Sequence, residues 1–247
     1  MIPVFIFTYE TDGPLALLAA SSAKAAGYEE VFLVEDAAAP LSAANREAAA
    51  CEELNLITSK FKRNGNLNGV ESIRGQLQIM AEVLENTNSS HGLKLDSDTM
   101  VTRRTMVETF AETGVSLAGM RDLNGKGKVL IGACYVISID FALKALNFLD
   151  RWGGFPGIDR NQCPEDYSIG TFGMLACPQS CNILNFKKDG GFGAGWGHGQ
   201  NPSLMPRYVE AYEYVNFGNH TDTEGRRVSQ TTMLMAMMAF AKELKLP

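Results

Sequence analysis

Asp96, Ser97 and Asp98 set two carboxylates one residue apart, directly after the run Leu93-Lys-Leu95. Both can turn an oxygen toward a hard divalent cation, Mn²⁺ or Mg²⁺, and such a cation bridges the oxygens of a diphosphate. A departing diphosphate carries charge that must be neutralised as the bond to it breaks, which a metal held here would do. The plainer reading has Asp98 and Thr99 starting the next helix. A second acidic pair, Glu165 and Asp166, follows Pro164 about seventy residues further on and opens a helix. A carboxylate there can take the proton of an attacking hydroxyl. Here the plainer reading is that capping and the helix dipole favour acids after a proline in a first turn.

The elements that must position these groups can be read from apolar spacing. Residues 2–8 form a buried strand, and a helix over 14–26 stops at Gly27. A strand over 28–35, an alanine-rich helix over 41–54 and a strand over 56–61 come next. After an Asn/Gly loop, Val70, Ile73, Leu77, Met80 and Leu84 recur every three or four residues, so they line one helix face. That helix leads to a strand ending at Asp96. Strand and helix alternating with short connections predict a parallel sheet with crossover helices, and ligands gather at the carboxyl ends of such strands. The acidic triplet falls at one of those ends.

The second half is less regular. Thr105-Met-Val-Glu108 reads as a capping box for a helix to 113. Residues 115–120 and 128–139 read as strands separated by the turn Asn124-Gly-Lys-Gly127. Helices are expected over 141–152 and 166–175, with an irregular stretch over 156–164 between them. A glycine-dense loop over 190–199, a strand over 208–217 and a Met-rich final helix complete the chain. No repeat and no long linker appear, so one domain, 1–247, is expected.

The 247 residues are 45% hydrophobic and 20% charged, which excludes a disordered or fibrous chain. The net charge of -6 argues against a general electrostatic hold on nucleic acid or an anionic membrane, so any phosphate needs a local site. The five cysteines include no CxxC pair, which points to a reducing compartment. The N-terminus looks like a first strand and not a signal peptide, and the apolar stretch 233–241 falls short of the ~20 residues of a membrane span. A cytoplasmic protein without a transmembrane segment is expected.

The run Leu93-Lys-Leu-Asp-Ser-Asp-Thr-Met-Val101, after about four βα units, resembles the D-x-D region of the GT-A fold glycosyltransferases. Pro164-Glu165-Asp166 resembles the x-E-D motif of their inverting members. The resemblance implies an α/β fold with a Rossmann-like mixed sheet flanked by helices. It also implies a nucleotide-diphosphate sugar donor, with residues 1–100 as a nucleotide-binding half and 101–247 as an acceptor-binding half. Asp98 inherits the role of chief metal ligand and Asp96 that of a ribose or metal contact, with Ser97 as the middle residue of the nucleotide-binding triplet. Asp166 inherits the role of base, and Glu165 that of acceptor contact. A C-terminal histidine often completes the metal site in this family. His220, at the end of an expected strand, is favoured over His198 in the glycine loop, and His91 is read as structural.

The ends of the first two strands hold base and ribose in the family, which implicates Thr8, Tyr9 and Glu10, then Glu35 and Asp36. Tyr9 suits a stacking platform for the base. Arg74 could meet diphosphate or ribose, although a solvated arginine fits its position equally well. Trp196 in the glycine loop suits a lid or an acceptor platform. The Met233, Leu234, Met237, Met238 and Phe240 face reads as core or as the contact of a homodimer. By resemblance the acceptor is a glycan or a lipid-linked sugar of bacterial surface polysaccharide.

Three rivals remain. Haloacid dehalogenase phosphatases also use D-x-D, but nearer the N-terminus and with Thr or Val where this chain has Met100. A sugar nucleotidylyltransferase should show a basic, glycine-rich loop after the first strand, where Thr8-Tyr-Glu-Thr-Asp-Gly13 is acidic. A nucleotide-sugar-binding protein without turnover is the third.

Overall fold

A computed structural model describes residues 1–61, 69–121, 130–155, 164–185, 192–218 and 228–246. Its centre is a seven-stranded mixed sheet in the order β3-β2-β1-β4-β7-β6-β8. These strands are β1 (Val4–Thr8), β2 (Val31–Asp36), β3 (Asn55–Ser59), β4 (His91–Asp96), β6 (Leu117–Arg121), β7 (Cys134–Ser138) and β8 (Cys181–Asn185). Strands β1 to β4 pair in parallel, β7 runs antiparallel to both β4 and β6, and β6 pairs in parallel with β8. A second sheet of three short strands, β5 (Thr99–Val101), β10 (Tyr214–Asn216) and β9 (Gly193–Gly195), lies beyond the triplet.

Helices α1 (Gly13–Ala25), α2 (Ala43–Cys51) and α3 (Val70–Asn86) make the crossovers of the parallel half. The helices α4 (Thr105–Glu112), α5 (Ile139–Trp152), α6 (Glu165–Ala176), α7 (Met205–Ala211) and α8 (Gln230–Glu243) follow. Alternation along each strand splits the core in two. Val4, Ile6, Leu93, Leu95 and Val136 face α1, α4 and α8, while Phe5, Phe7, Tyr135 and Ile137 face α3, α5 and α6. Side chains of successive strand residues point to opposite faces, so Lys94 and Asp96 share the second face.

The crossover half is as expected. Gly27 takes φ +92°, a left-handed conformation that costs an L side chain but not glycine, and it ends α1. Four readings of the second half are corrected. Asp98 and Thr99 lead into strand β5 and not a helix. Arg104, not Thr105, caps α4, and Glu213 does what a capping box would, accepting the Met106 N–H at 2.6 Å. Within 208–217 only Tyr214–Asn216 is strand, because Pro206 starts helix α7 and the chain stays helical to Ala211, with the Tyr208 and Tyr212 rings in tilted contact. Trp196 is no exposed platform: it is buried against Tyr208 and Phe217. Met233, Met237 and Phe240 belong to the core, while Met238 of the same helix is half exposed. The expected turn 124–127 and loop residues 64–68, 190 and 191 lie outside the described residues. No helix among the described residues is long and apolar enough to cross a membrane.

Candidate active site

The triplet ends β4, the central strand of the seven, with β1 on one side and β7 on the other. Asp98 is held from the C-terminal third of the chain. Asn216 Nδ2 donates to its Oδ1 at 2.8 Å, and the Phe217 N–H donates to its backbone carbonyl at 2.8 Å. Gly218 backs directly onto Asp98 Oδ2, leaving no room for a Cβ. Ser97 is buried, and its hydroxyl donates to Asp12 Oδ2 at 3.1 Å; Gln230 Nε2 holds the other Asp12 oxygen at 2.7 Å. Burial pushes the Asp98 carboxyl up, to about 7; the charges of Asp96 and Asp12 add to the rise, and Lys94 and the Asn216 hydrogen bond oppose it. Asp12, Asp96 and Asp98 therefore form a crowded anionic cluster.

Beneath the triplet lies a buried polar network. The Lys94 side chain is fully buried, and its Nζ donates to Asp96 Oδ1 and, at 2.5 Å, to the Gly132 carbonyl. The same ammonium lies 3.5 Å from Glu165 Oε1 and 5.5 Å above the ring of Tyr135. Glu165 Oε1 accepts from Tyr135 Oη at 2.5 Å and from Gln76 Nε2 at 2.8 Å. Burial raises the Glu165 carboxyl above its ordinary range, while Lys94, Gln76 and Tyr135 pull it back. Asp166 begins the α6 helix beside it, packed against Gly132, with Oδ1 accepting the Tyr167 N–H at 2.8 Å. One network thus joins the triplet to the acidic pair.

The remaining expected residues fall as follows. Thr8 is buried at the end of β1, Tyr9 half-buried and Glu10 exposed just past it. Glu35 is fully buried, and its two oxygens accept from Arg46, Thr58 and the Leu41 N–H, so it braces the loop after β2. Asp36 accepts the Ala38 N–H at 2.8 Å. Arg74 pairs with Asp150 and with the Leu149 carbonyl, tying α3 to α5. His198 is buried with Nε2 donating to the Phe217 carbonyl at 2.7 Å, so in this arrangement that nitrogen is not free for a metal. His220 lies outside the described residues, two positions after Gly218. His91 bonds the Val115 carbonyl at 2.8 Å, the structural role expected of it.

Among the described residues, no group of three or more His, Cys, Asp and Glu side chains could cage a metal by itself. What they offer is a pair of hard oxygen ligands, Asp96 and Asp98, whose mutual repulsion a divalent cation would relieve. Mg²⁺-like ions are commonly held by one or two carboxylates plus phosphate oxygens and water. The pair fits an ion that shares its coordination with a diphosphate. Two surface hollows, of about 350 and 390 Å³, lie on α5 and α6; they share Lys144 and Ala176 and include none of these residues.

Lys94, Gln76 and Tyr135 were not foreseen as site residues, nor were Asp12, Asn216 and Gly218. Lys94 alone carried a signal, as a charge inside a strand buried on both faces.

The sheet order, its one antiparallel strand and the acidic triplet at the end of β4 define the GT-A glycosyltransferase fold. Solved structures of that fold superpose on nearly the whole chain. They include the galactosyltransferase LgtC in complex with donor and acceptor sugar analogues (TM-score 0.59, 12% identity, 99% of this chain and 95% of that one). A glycosyltransferase involved in glycosylation of the major capsid of PBCV-1 also matches (TM-score 0.53, 9% identity, 96% and 98%). So does the bifunctional glycosyltransferase WbbM in its apo form, of which this chain spans only 49% while 98% of its own length is covered (TM-score 0.59, 9% identity). No family model and no curated protein sequence matches.

Proposed function

We propose that this chain is a metal-dependent glycosyltransferase that moves a sugar from a nucleotide-diphosphate donor to an acceptor hydroxyl, with inversion at the anomeric carbon. One observation carries the reading: in a glycosyltransferase fold, Asp96 of the triplet and Glu165 of the second acidic pair share the buried ammonium of Lys94. A phosphatase or a mere scaffold has no need of two acidic pairs so joined.

Asp96 and Asp98 would hold a divalent ion, Mn²⁺ or Mg²⁺, which when bound offsets the charge of the departing diphosphate. His220 is the proposed further ligand. Tyr9, beyond β1, and Asp36, beyond β2, lie where the base and ribose of the donor would rest. Asp166, in the first turn of α6, takes the proton of the acceptor hydroxyl. Glu165, fixed by Tyr135 and Gln76, orients the acceptor. LgtC was captured with donor and acceptor sugar analogues, which supports a sugar acceptor here. A glycan or lipid-linked acceptor of surface polysaccharide, met in the cytoplasm, is the substrate proposed.

Incubation with Mn²⁺ and a panel of nucleotide sugars tests the proposal. Metal-dependent donor cleavage, accelerated by an acceptor, is the expected result. Donor binding without any cleavage would leave only a binding protein, and phosphate release from simple monoesters would make the chain a phosphatase.

A further inference from the structure

Lys94 has no part in the functional reading so far except as a link. Yet among the described residues it is the only buried lysine, it lies between Asp96 and Glu165, and its partners are unequal. Its Nζ is hydrogen-bonded to Asp96 and to the Gly132 carbonyl, while Glu165 stands 3.5 Å away as a second anion. Phe5 of β1 and Tyr135 of β7 flank it in register, so the sheet itself fixes where the stem begins. An ammonium so placed cannot escape to solvent.

A free divalent ion approaching Asp96 meets this cation on the same carboxylate. The two positive charges repel across the few ångströms of one carboxylate, and one Asp96 oxygen is already taken. A divalent ion carried on a diphosphate is different, because the two charges of each cancel. The complex feels little repulsion, and its phosphate oxygens supply the coordination that the described residues lack.

We propose that Lys94 makes the triplet selective for a metal–diphosphate complex over the free metal ion, acting through Asp96 as a positioning residue. This rests on the reading of Asp96 and Asp98 as metal ligands. The order of binding follows: nucleotide and ion arrive together, and the site stays clear of free metal. Lys94 also keeps Asp96 and Glu165 in one arrangement, since one ammonium serves both.

The test is a titration of Mn²⁺ alone, followed by electron paramagnetic resonance of the free ion, on the full chain and on Lys94→Met. The variant should bind free Mn²⁺ about tenfold or more tightly than the natural protein. With inorganic pyrophosphate present the difference should shrink to about threefold or less, because the manganese–pyrophosphate complex carries net negative charge and meets no repulsion from the ammonium. Equal or weaker Mn²⁺ binding by the variant overturns the proposal, as does a gain of the same size with and without pyrophosphate. A lysine that served only as a structural brace would give a loss, not a gain. The double variant Lys94→Met with Glu165→Gln removes the stranded buried anion and should show the same tightened Mn²⁺ binding if the single variant folds poorly. Donor cleavage by the natural protein separates this idea from the transferase reading. Cleavage with Mn²⁺ but equal Mn²⁺ affinities defeats the role of Lys94 alone; a persistent gain without cleavage of any donor defeats only the transferase.

Discussion

The α-carbon of Gly218 lies against Oδ2 of Asp98 with no space for a side chain between them. Asn216, two residues earlier, holds the other oxygen at 2.8 Å. The C-terminal third of the chain therefore decides where the proposed metal ligand points.

Gly218→Ala should accordingly damage the site more than the fold. Fitting the methyl costs about 1–3 kcal/mol of local strain, and Asp98 is the neighbour that must move. Donor cleavage should fall about tenfold or more, while the melting temperature falls by no more than about 2–4 °C per kcal/mol of that strain. An enzyme as active as the natural one would show that Asp98 does not need this wall.

Asp98 also sets a pH dependence. Its carboxyl is held at about 7 against an ordinary value of 3.8, so the folded state keeps a proton that the unfolded chain gives up. Without divalent metal, this group's contribution makes stability fall as pH rises from about 4 toward 7, with the full penalty above that. Asp98→Asn removes the penalty. At pH 8 in a chelator the variant should melt above the natural protein, and the gap should narrow at pH 5. A variant that melts lower at pH 8 contradicts the crowding of Asp12, Asp96 and Asp98.

Asp166→Asn tests the base. Loss of a positioned general base should lower kcat by about 10²–10⁴ and leave the donor KM nearly unchanged. Nuclear magnetic resonance of the product gives the anomeric configuration; retention would remove Asp166 from the role of base in a single displacement.

Glu35→Gln separates a nucleotide contact from a brace. Its carboxylate is fully occupied by Arg46, Thr58 and the Leu41 N–H. Losing charge-assisted hydrogen bonds there should cost about 1.5–3 kcal/mol in urea unfolding with no rise in donor KM. A raised KM at unchanged stability would return Glu35 to the nucleotide.

The crossover half was legible because its signals are local: apolar runs such as Val31 to Val34, a helical stripe from Val70 to Leu84, and Gly27 as a stop. The acidic residues were found because D-x-D and Glu-Asp are contiguous in the chain. What places them is not contiguous. Asn216 and Gly218 reach Asp98 across more than a hundred residues, and Gln76, Tyr135 and Glu165 come from three elements. Tyr208 and Tyr212 have strand-like chemistry, yet Pro206 starts a helix that carries Tyr208 and runs to Ala211. Trp196 offered an amphipathic ring, and only the packing of Tyr208 and Phe217 around it shows that it is interior.

The three-stranded sheet has a bearing on how the molecule is made. Strand β5 has its neighbour β10 more than a hundred positions downstream, and Asp98 and Thr99 receive their amide partner from a residue 118 and 117 positions away. Closing so long a segment is entropically slow. On the ribosome the parallel strands can assemble early, but the end of the sheet that carries Asp98 stays unfinished until residue 218 has emerged, so a nascent product would hold those strands in place before the wall behind Asp98 exists.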